Sequence, residues 1–407
     1  MTDRAARAIA ECRLIATMTE EPGRITRRFL TPPMHAVHAH LRALMEALGM
    51  SVHVDAAGNL RGIWQPPDAK HKRLVLGSHI DTVPDAGAFD GVLGVTIALE
   101  WVALAQELNL PLAIEVIAFS EEEGVRYGLP YLGSRAVAGR FDPALLTLID
   151  AEGITVDAAL RAFGLDPGRI GEAVLCPDAI CFVEVHIEQG PLLEAENLCV
   201  AAVTAIVGQT RLTLSFTGHA NHAGTTPMHL RHDALAAAAE WISAVESLAQ
   251  RTEGLAATVG RISVEPNVGN VVPGVARVSL DVRHTRDAVR NAAVDELLAR
   301  AEAIATKRGL TFTRVRQLEQ PAVPMDERLT SFLTDAMEAA GFPVKTMPSG
   351  AGHDAIVMAG RLPTAMLFLR SPGGISHHPD ESVLEEDVEA SLLVAREFLH
   401  RLAKDIG

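Results

Sequence analysis

Apolar and polar positions in this chain follow two different patterns, and the pattern changes near residue 209. Before that point, apolar runs at 74–76, 112–119 and 180–185, the last two with one glutamate each, are separated by segments with helical periodicity. Such runs are typical of strands that are buried on both faces of a parallel sheet. The alanine- and leucine-rich segment 91–108 joins the first two runs and predicts a helix between them. This part of the chain therefore predicts strand–helix–strand units.

The segment 210–322 carries the second pattern. Residues 211–216 alternate between apolar and polar, as in a half-exposed antiparallel strand. Further helices are predicted at 229–250 and 286–308, and further strands at 255–265, 275–283 and 310–316. This βαββαβ order predicts a ferredoxin-like α+β domain. After Met325 the buried-strand pattern returns at 363–369, and a last helix is predicted at 384–403.

We therefore expect an α/β fold with two domains, which a chain of 407 residues is long enough to form. The first domain would combine 1–209 and 323–407 around a mainly parallel sheet, and 210–322 would be inserted into it. Two more helices, at 3–20 and 33–48, are predicted to precede the first buried strand.

Composition narrows the class of protein. The chain has 36 Lys and Arg against 51 Asp and Glu, a net charge of −15, which argues against nucleic acid or an anionic membrane as partner. No apolar run approaches the roughly 20 residues of a membrane span, and the first residues lack the apolar core of a signal peptide. The cysteines, at 12, 176, 181 and 199, form no CxxC pair, so we expect reduced core thiols and a cytoplasmic location.

Each predicted buried strand ends in side chains that can bind metal. The four strand ends lead, in chain order, to His79 with Asp90 in the same loop, to Glu121–Glu123, to His186, and to His377. Because the carboxyl ends of parallel strands meet at one edge of a sheet, we expect these groups to lie close together. Asp81, two residues after His79, is placed to bond the free ring nitrogen of that histidine.

Plainer explanations exist for each group taken alone. Asp90 could simply cap the helix that follows it, and three adjacent acids usually form a solvated turn. The combination favours metal, because imidazoles mixed with carboxylates suit Zn, Mn, Co or Ni. One shared Asp with a His or Glu on each side can hold two ions about 3.5–4 Å apart, with a bridging water that attacks a carbonyl. One of two adjacent acids would then take the proton of that water.

Longer motifs, in a fixed order along the chain, carry a family resemblance. They are GSHIDTVPDAGAFDGVLG, EEEG, HIEQG, GHANHAGTTPM, PNVGNVVPG, SGAGHDA and GGISHHP. Together they resemble the dinuclear metal-dependent amidohydrolases and peptidases related to aminoacylase and carboxypeptidase G. Within that family the chain most resembles the N-carbamoyl-L-amino acid hydrolases, the allantoate amidohydrolases and β-ureidopropionase. The resemblance spans essentially the whole chain.

The resemblance implies a role for each residue of the site. Two divalent ions would share one ligand, with His79, Asp90 and His186 around the first and Asp90, Glu123 and His377 around the second. Glu122 would be the general base, and Asp81 would orient a ligand histidine. The Ser-His-x-Pro spacing selects His377 rather than its neighbour His378. Glu121 is expected to be solvated or outside the ligand set, and His353 and Asp354 to support the site or to cap a helix.

The resemblance places the substrate contacts mainly in the inserted domain. His222 would stabilise the oxyanion, and His219 is the structural alternative to it. Asn270 and Arg283 would hold the substrate carboxylate, a task for which the guanidinium fork is suited. Gln189 and Gln209 are further substrate-pocket candidates. The inserted domain would serve as a lid and dimerisation domain in a homodimer.

The implied reaction is hydrolysis of the carbamoyl (ureido) C–N bond of a small carboxylate substrate by a metal-bridged hydroxide. Allantoate and N-carbamoyl-L-amino acids are the expected substrates, with allantoate preferred on overall resemblance. The alternative, an aminoacylase or dipeptidase, is disfavoured because the peptidase relatives carry a carboxylate where this chain has His186. A non-catalytic binding protein is disfavoured because Glu122 and each implied ligand are retained.

Overall fold

The computed structural model describes residues 1–67, 69 and 72–406. The chain divides into two compact units, one formed by Met1–Thr204 with the residues from Met325 onward, the other by Ala205–Pro324. The segment 210–322, which was expected as an inserted domain, falls inside the second unit. Among the described helices, none combines the length and the apolar character that crossing a membrane requires.

Short helices and strands follow one another along the chain. The elements before residue 207 are α1 (Thr2–Ala16), α2 (Pro32–Ala47), β1 (Ser51–Val54), β2 (Leu60–Trp64), β3 (Arg73–His79), α3 (Val92–Glu107), β4 (Ala113–Phe119), α4 (Leu132–Val137), α5 (Val156–Ala162), β5 (Ala179–Ile187), α6 (Leu192–Ala195) and β6 (Val200–Ile206). They are followed by β7 (Gly208–Thr217), β8 (Asn221–His222), α7 (Ala234–Arg251), β9 (Ala256–Thr258), β10 (Ile262–Glu265), β11 (Val271–Val272), β12 (Val275–His284), α8 (Asp287–Lys307), β13 (Thr311–Gln320) and β14 (Val323–Pro324). The last are α9 (Glu327–Ala339), β15 (Thr346–Ser349), α10 (Ala355–Met358), β16 (Thr364–Leu369) and α11 (Glu385–Ile406).

The sheet of the first unit has the order β1-β2-β4-β3-β5-β16-β6. Its middle strands, β4, β3, β5 and β16, are parallel, whereas β1, β2 and β6 pair antiparallel at its flanks. The protein is therefore α/β, as predicted, with a sheet that is parallel where the site residues leave it. His79 is paired with Phe119, and His186 with Phe368, so the carboxyl ends of all four middle strands lie at one edge.

The core of the first unit fixes these strands. Helix α3 is apolar on nearly every side and is buried along most of its length. Alternate residues of the parallel strands, such as Leu76, Val116 and Val183, join α1, α3 and α11 in one hydrophobic cluster. Each such buried side chain contributes about 1.5–3 kcal/mol to stability. The loops that follow the strands therefore start from rigid positions.

The second unit is a separate antiparallel structure. Its main sheet has the order β10-β12-β7-β13, with β9 beside β12, and its elements follow the order β-α-β-β-α-β when short strands are set aside. Leu212, Leu214 and Phe216 of β7 pack with Trp241 of α7 in its core. The residues between them are polar and partly exposed, because successive side chains of a strand point to opposite faces.

Several predicted boundaries were wrong for local reasons. The helix predicted at 229–250 begins only at Ala234, where the Asp233 side chain accepts a hydrogen bond from the Ala236 amide at 3.0 Å. The strand predicted at 255–265 is two strands, β9 and β10, with Gly260 between them. Helix α1 ends four residues before its predicted end at residue 20.

Cys176 is exposed, so the expectation of core thiols fails for that cysteine.

Candidate metal centre

Four strand ends bring the predicted ligands to one edge of the central sheet. His79 is the last residue of β3, and His186 is the penultimate residue of β5. The acids Glu121–Glu123 follow β4 after Ser120, and His377 lies in the loop after β16. Parallel strands that are buried on both faces position these side chains because their hydrogen bonds and packing leave the strand ends little freedom.

Asp90 is the residue around which the other donors gather. Its Oδ1 lies 3.3 Å from His79 Nε2 and 3.2 Å from His186 Nε2. Its Oδ2 lies 3.2 Å from His377 Nε2, which is also 3.4 Å from Glu123 Oε1. Among the described residues, three groups offer one donor atom each with all atoms within 4.8 Å of one another: His79 with Asp90 and His186, Asp90 with Glu123 and His377, and His79 with Glu122 and Glu123.

The histidine rings are held in the tautomer that a metal needs. His79 Nδ1 donates to the backbone carbonyl of Asp81 at 3.0 Å, and His186 Nδ1 donates to the carbonyl of Ile187 at 2.9 Å. A carbonyl can only accept, so each Nδ1 carries a proton, and in the neutral ring each Nε2 presents a lone pair. Within the described part of the chain, His186 Nε2 and Asp90 Oδ1 are buried without a hydrogen-bond partner. Two facing acceptors of this kind fit a cation between them.

The charges of the site shift the pKa values of its members strongly. Burial alone would raise the pKa of Asp90, but three neighbouring histidines hold it well below its usual value. Burial would lower the pKa of His79, but Asp90 and Glu122 keep it well above its usual value. Hydrogen bonds to Asp90 and Glu123 raise the pKa of His377 to about 10. The imidazoles are therefore balanced by carboxylates, as in a site that exchanges protons for metal.

Asp81 contacts the free ring nitrogen of His79, as predicted, through its main chain. Its Oδ1 is 3.7 Å from His79 Nδ1, and it is the backbone carbonyl of Asp81 that bonds this ring nitrogen. That Asp81 orients His79 stays a prediction. The carboxylate instead accepts the amides of Glu122 and Glu123, both at 3.1 Å. Asp81 thus joins the loop after β3 to the two acids after β4.

The three adjacent acids have different surroundings. Glu121 adopts a left-handed backbone conformation, φ 51°, is fully buried and accepts the amides of Arg126 and Tyr127, so the solvated alternative for it was wrong. Glu123 reaches His377, as described above. Glu122 is buried, and burial together with the charge of Glu123 raises the pKa of its carboxyl well above the usual value. A carboxyl of this kind can hold a proton near neutral pH.

His353 and Asp354 lie beneath the site. The ring centroid of His353 is 4.5 Å from that of His186, and its Nε2 is 2.9 Å from Ser349 Oγ. Asp354 stands at the N-cap position of α10 but makes no side-chain capping bond, so the capping alternative was wrong. Its carboxyl is fully buried, and burial and the neighbouring Glu184 raise its pKa well above the usual value.

Some contacts to Asp90 were not foreseen from the sequence. Gln189, expected in the substrate pocket, donates from Nε2 to Asp90 Oδ2 at 2.8 Å. Ser376 Oγ donates to the same oxygen at 2.7 Å, and Glu381 accepts the Asp90 amide at 3.0 Å. Ser376 stands beside His377 inside a quoted motif, which is a usable signal. Glu381 lies two residues beyond that motif, and nothing in the pattern of the sequence links it to Asp90.

In the second unit, His222 and Asn270 come together on a small two-stranded sheet. β8 pairs with β11, and the amide of Ala223 donates to the carbonyl of Asn270 at 2.9 Å. His222 Nδ1 accepts the amides of Gly224 and Thr225 at 3.1 and 3.2 Å. Because Nδ1 accepts, the neutral ring carries its proton on Nε2, and His222 is exposed. The predicted oxyanion donor therefore has an N–H to offer.

Arg283 and Gln209 are also neighbours in this unit, as paired residues of β12 and β7. Both bind a carboxylate of the chain itself. Arg283 bonds Asp281 through Nε at 2.9 Å and Nη2 at 3.0 Å, and Gln209 Nε2 donates to the same carboxylate at 2.7 Å. Arg211 adds a contact at 2.9 Å. The two-pronged bond predicted between Arg283 and a substrate is thus made here to Asp281, beside a cavity of about 680 Å³ on this face of the sheet.

Comparison with known proteins identifies the relatives of this chain. Residues 75–404 match the Peptidase family M20/M25/M40. The chain is 37% identical to an N-carbamoyl-L-amino acid amidohydrolase of Geobacillus stearothermophilus, over 94% of each chain. It is 35% identical to a probable allantoate deiminase of Oryza sativa subsp. japonica, over 96% of this chain and 87% of the rice protein. A solved amidase of the hydantoinase/carbamoylase family from Burkholderia multivorans matches with a TM-score of 0.91 and 32% identity, over 98% and 97% of the two chains.

A parallel-centred α/β sheet with clustered histidine and carboxylate donors at its carboxyl edge is an arrangement of metal-dependent hydrolases. The match over residues 75–404 makes the identification specific: this chain belongs to the Peptidase family M20/M25/M40. The resemblance inferred from the motifs is therefore confirmed.

Proposed function

We propose that this chain is an amidohydrolase that cleaves the carbamoyl (ureido) C–N bond of a small carboxylate substrate, allantoate or an N-carbamoyl-L-amino acid. The observation that carries the proposal is a pair of donor groups that share Asp90 and lie beside Glu122. The relatives of this chain are named as a probable allantoate deiminase and an N-carbamoyl-L-amino acid amidohydrolase. Hydrolysis would give ammonia, carbon dioxide and the freed amine. Of the two substrates, we place allantoate first on overall resemblance.

We assign the two groups that share Asp90 to two divalent ions, drawn from Zn, Mn, Co and Ni. When bound, these ions would acidify a water molecule and polarise the scissile carbonyl. Glu122 would accept the proton of that water at its carboxylate and pass it to the departing nitrogen. Its raised pKa suits a group that must keep a proton between these two steps. Asp81 would hold the backbone of Glu122 in place through the 3.1 Å bond to its amide.

For the substrate we propose contacts from the second unit. His222 would donate from Nε2 to the negative charge that develops on the carbonyl oxygen. Asn270 and Arg283 would hold the carboxylate, with Gln209 beside them, and Asp281 would set the orientation of the guanidinium group through its two bonds. Gln189 would border the substrate from the metal side, since its amide already contacts Asp90.

The proposal includes the assembly and the location of the enzyme. We infer a homodimer in which the second unit acts as a lid and dimerisation domain, in line with the family resemblance. We also infer a cytoplasmic location, because cysteine use is low and the cysteines in the described part of the chain are free thiols.

Metal removal and a substrate panel test the proposal. Protein dialysed against a chelator should release no ammonia from allantoate or N-carbamoyl-L-amino acids, and Mn, Co, Ni or Zn should restore release. Wild type should prefer these ureido acids over N-acetyl amino acids and dipeptides. Full activity in metal-free protein would contradict the metal assignment. A preference for the acetylated amino acids or dipeptides would favour the aminoacylase or dipeptidase alternative.

Metal binding should also release protons. The pKa of His377 is raised from 6.5 to about 10 in the metal-free protein, so its ring is protonated near neutral pH. Metal must displace that proton, and affinity should therefore rise with pH up to about 10. Titration calorimetry in two buffers of different ionisation enthalpy measures the release. Equal heats in both buffers would show that His377 binds no metal or is already neutral.

A further inference from the structure

Glu381 is a buried acid next to the centre that the proposed reaction does not use. It lies in the loop after β16, four residues beyond His377, and only 5% of its surface is exposed. Its Oε1 accepts the amide of Phe89 at 2.8 Å and the amide of Asp90 at 3.0 Å. Two bonds from one carboxylate oxygen thus fix the main chain at the residue that both donor groups share.

Gly87 lies against Glu381 and leaves room for its side chain. A Cβ atom at Gly87 would lie 2.3 Å from Glu381 Cβ and 2.4 Å from its Oε1. Any other residue at position 87 would therefore collide with the carboxylate that holds Asp90. The loop before Asp90 and the side chain of Glu381 are in close contact, so neither can move without the other.

The second oxygen of Glu381 lies beside a hydroxyl that also contacts Asp90. Oε2 is 3.3 Å from Ser376 Oγ, and Ser376 Oγ is 2.7 Å from Asp90 Oδ2. Gln189 Nε2 lies 3.2 Å from the same hydroxyl and 2.8 Å from Asp90 Oδ2. A hydroxyl has one proton, and the shorter contact directs it to Asp90 while Gln189 donates to the hydroxyl oxygen. Backbone and side chain of Asp90 are thus both fixed from the loop that carries His377.

We propose that Glu381 is a positioning residue that fixes Asp90 in the orientation required by both donor groups. The inference rests on the proposed metal centre. Asp90 belongs to both of the groups that we assign to metal, so a displacement of its main chain changes both at once. Removing Glu381 should therefore weaken both metal-binding steps, although Glu381 is not a ligand. Partners that orient a ligand typically change metal affinity by about 10–100-fold when they are lost.

The test compares Glu381→Ala with a matched control, Glu188→Ala. Glu188 is also a buried glutamate, 8% exposed, and its carboxylate accepts two backbone amides, those of Leu192 at 2.7 Å and Leu193 at 2.9 Å. Those amides belong to α6. Mn²⁺ affinity of the full chain is measured by competition with a chromogenic chelator, together with thermal unfolding of the metal-free proteins. Glu381→Ala should weaken both binding steps about 10–100-fold, and Glu188→Ala should change them less than about 2-fold.

Activity provides a second readout that separates positioning from general damage. In Glu381→Ala, kcat at saturating Mn²⁺ should recover toward wild type, because the ligands and Glu122 are intact and only metal occupancy has fallen. If Glu381→Ala lowered thermal stability as much as Glu188→Ala but left both metal affinities unchanged, the proposal would be overturned. So would loss of affinity at one binding step only.

Gly87→Ala covers the case in which Glu381→Ala does not fold. Its Cβ atom would lie 2.4 Å from Glu381 Oε1, so the carboxylate must move away from the two amides, while Ser376 keeps its own bond to Asp90. Weaker binding of Mn²⁺ supports the proposal, and wild-type affinity overturns it. If wild type bound no metal, the proposed function and this inference would both be wrong. If wild type bound metal and hydrolysed ureido acids while both variants bound metal normally, only the inference would be wrong.

Discussion

At the scale of single residues, the centre concentrates acids where little water can reach. The buried members are Asp81, Asp90, Glu122, Glu184 and Asp354. Buried carboxylates are costly unless cations or hydrogen bonds balance them. The nearby histidines balance only part of this charge, as the raised pKa values of Glu122 and Asp354 show. Divalent ions at this position would stabilise the folded state by mass action as well as supply the chemistry.

The two acids that follow Glu121 should separate by mutation into a base and a ligand. Glu122→Gln should retain metal but lower turnover by about 10²–10⁴-fold, the usual contribution of a general base. Glu123→Gln should mainly weaken metal binding, because Glu123 shares a donor group with Asp90 and His377. Metal content and kcat are measured on the same preparations. The reverse pattern would show that the two roles are exchanged. The donor group of His79, Glu122 and Glu123 contains both acids, so both are placed to bind metal.

At the scale of helices and strands, prediction from the sequence was most accurate for the buried strands of the parallel sheet. The apolar runs that lead to His79, Glu121–Glu123 and His186 are β3, β4 and β5, as the pattern typical of buried parallel strands predicted. β6 was not predicted, since Val-Ala-Ala-Val-Thr-Ala-Ile is as compatible with a helix as with a strand. α9 and β15 were also missed, although α9 has the amphipathic spacing of a surface helix.

Contacts between distant loops could not be predicted from the sequence, for a different reason. Glu381 meets the Asp90 amide across 291 residues, and the Asp81 carboxylate meets the amide of Glu122 across 41. Neither pairing leaves a periodic trace, because each depends on how loops are brought together in three dimensions. The bond between Asp281 and Arg283 differs, because residues two apart on a strand share a face and such a pair can be found from the sequence.

A buried ion network ties together the strands that carry the centre. Glu115 of β4 is fully buried and bonds Arg61 of β2 at 2.7 Å and Arg73 of β3 at 2.8 Å. Glu115→Ala should lower the free energy of unfolding by about 3–5 kcal/mol, because it removes the buried carboxylate that the two guanidinium groups share, while Arg73 keeps its bond to Asp178. Denaturant unfolding monitored by circular dichroism measures the change. Asp157→Ala, which breaks an exposed pair with Arg161 on α5, is the control and should change nothing measurable. An equally small change in the free energy of unfolding of Glu115→Ala would show that water replaces the lost carboxylate in the network.

At the scale of the whole molecule, the charge of the chain and that of the proposed substrate have the same sign. A net charge of −15 disfavours the approach of a carboxylate, especially at low ionic strength. The cavity on the sheet of the second unit has the opposite local character, since Arg211, Arg261, Arg277 and Arg283 line it together with Asp281. An acidic protein can therefore still present a cationic surface to an anionic substrate. Under the proposed function, this surface would capture the substrate and the first unit would supply the chemistry.

A division of labour between units raises the question of whether one chain or two complete the active site. Glu122 belongs to the first unit and His222 to the second, so inactivating each in a separate subunit tests the arrangement. If the site is shared across a homodimer, mixing Glu122→Gln with His222→Ala should restore about one quarter of wild-type activity. Half of the randomly mixed dimers are heterodimers, and each heterodimer has one intact site.

The readout of this mixing experiment is ammonia release after subunit exchange, with exchange verified by differently tagged subunits. Each variant alone should remain inactive, which excludes contamination by wild type. Activity that rises with the fraction of heterodimer would establish that His222 acts on the partner's metal centre. Persistent inactivity in verified heterodimers would establish that both residues must come from the same chain. A monomeric protein would contradict the homodimer itself, and full activity of the monomer would assign both units to one complete site.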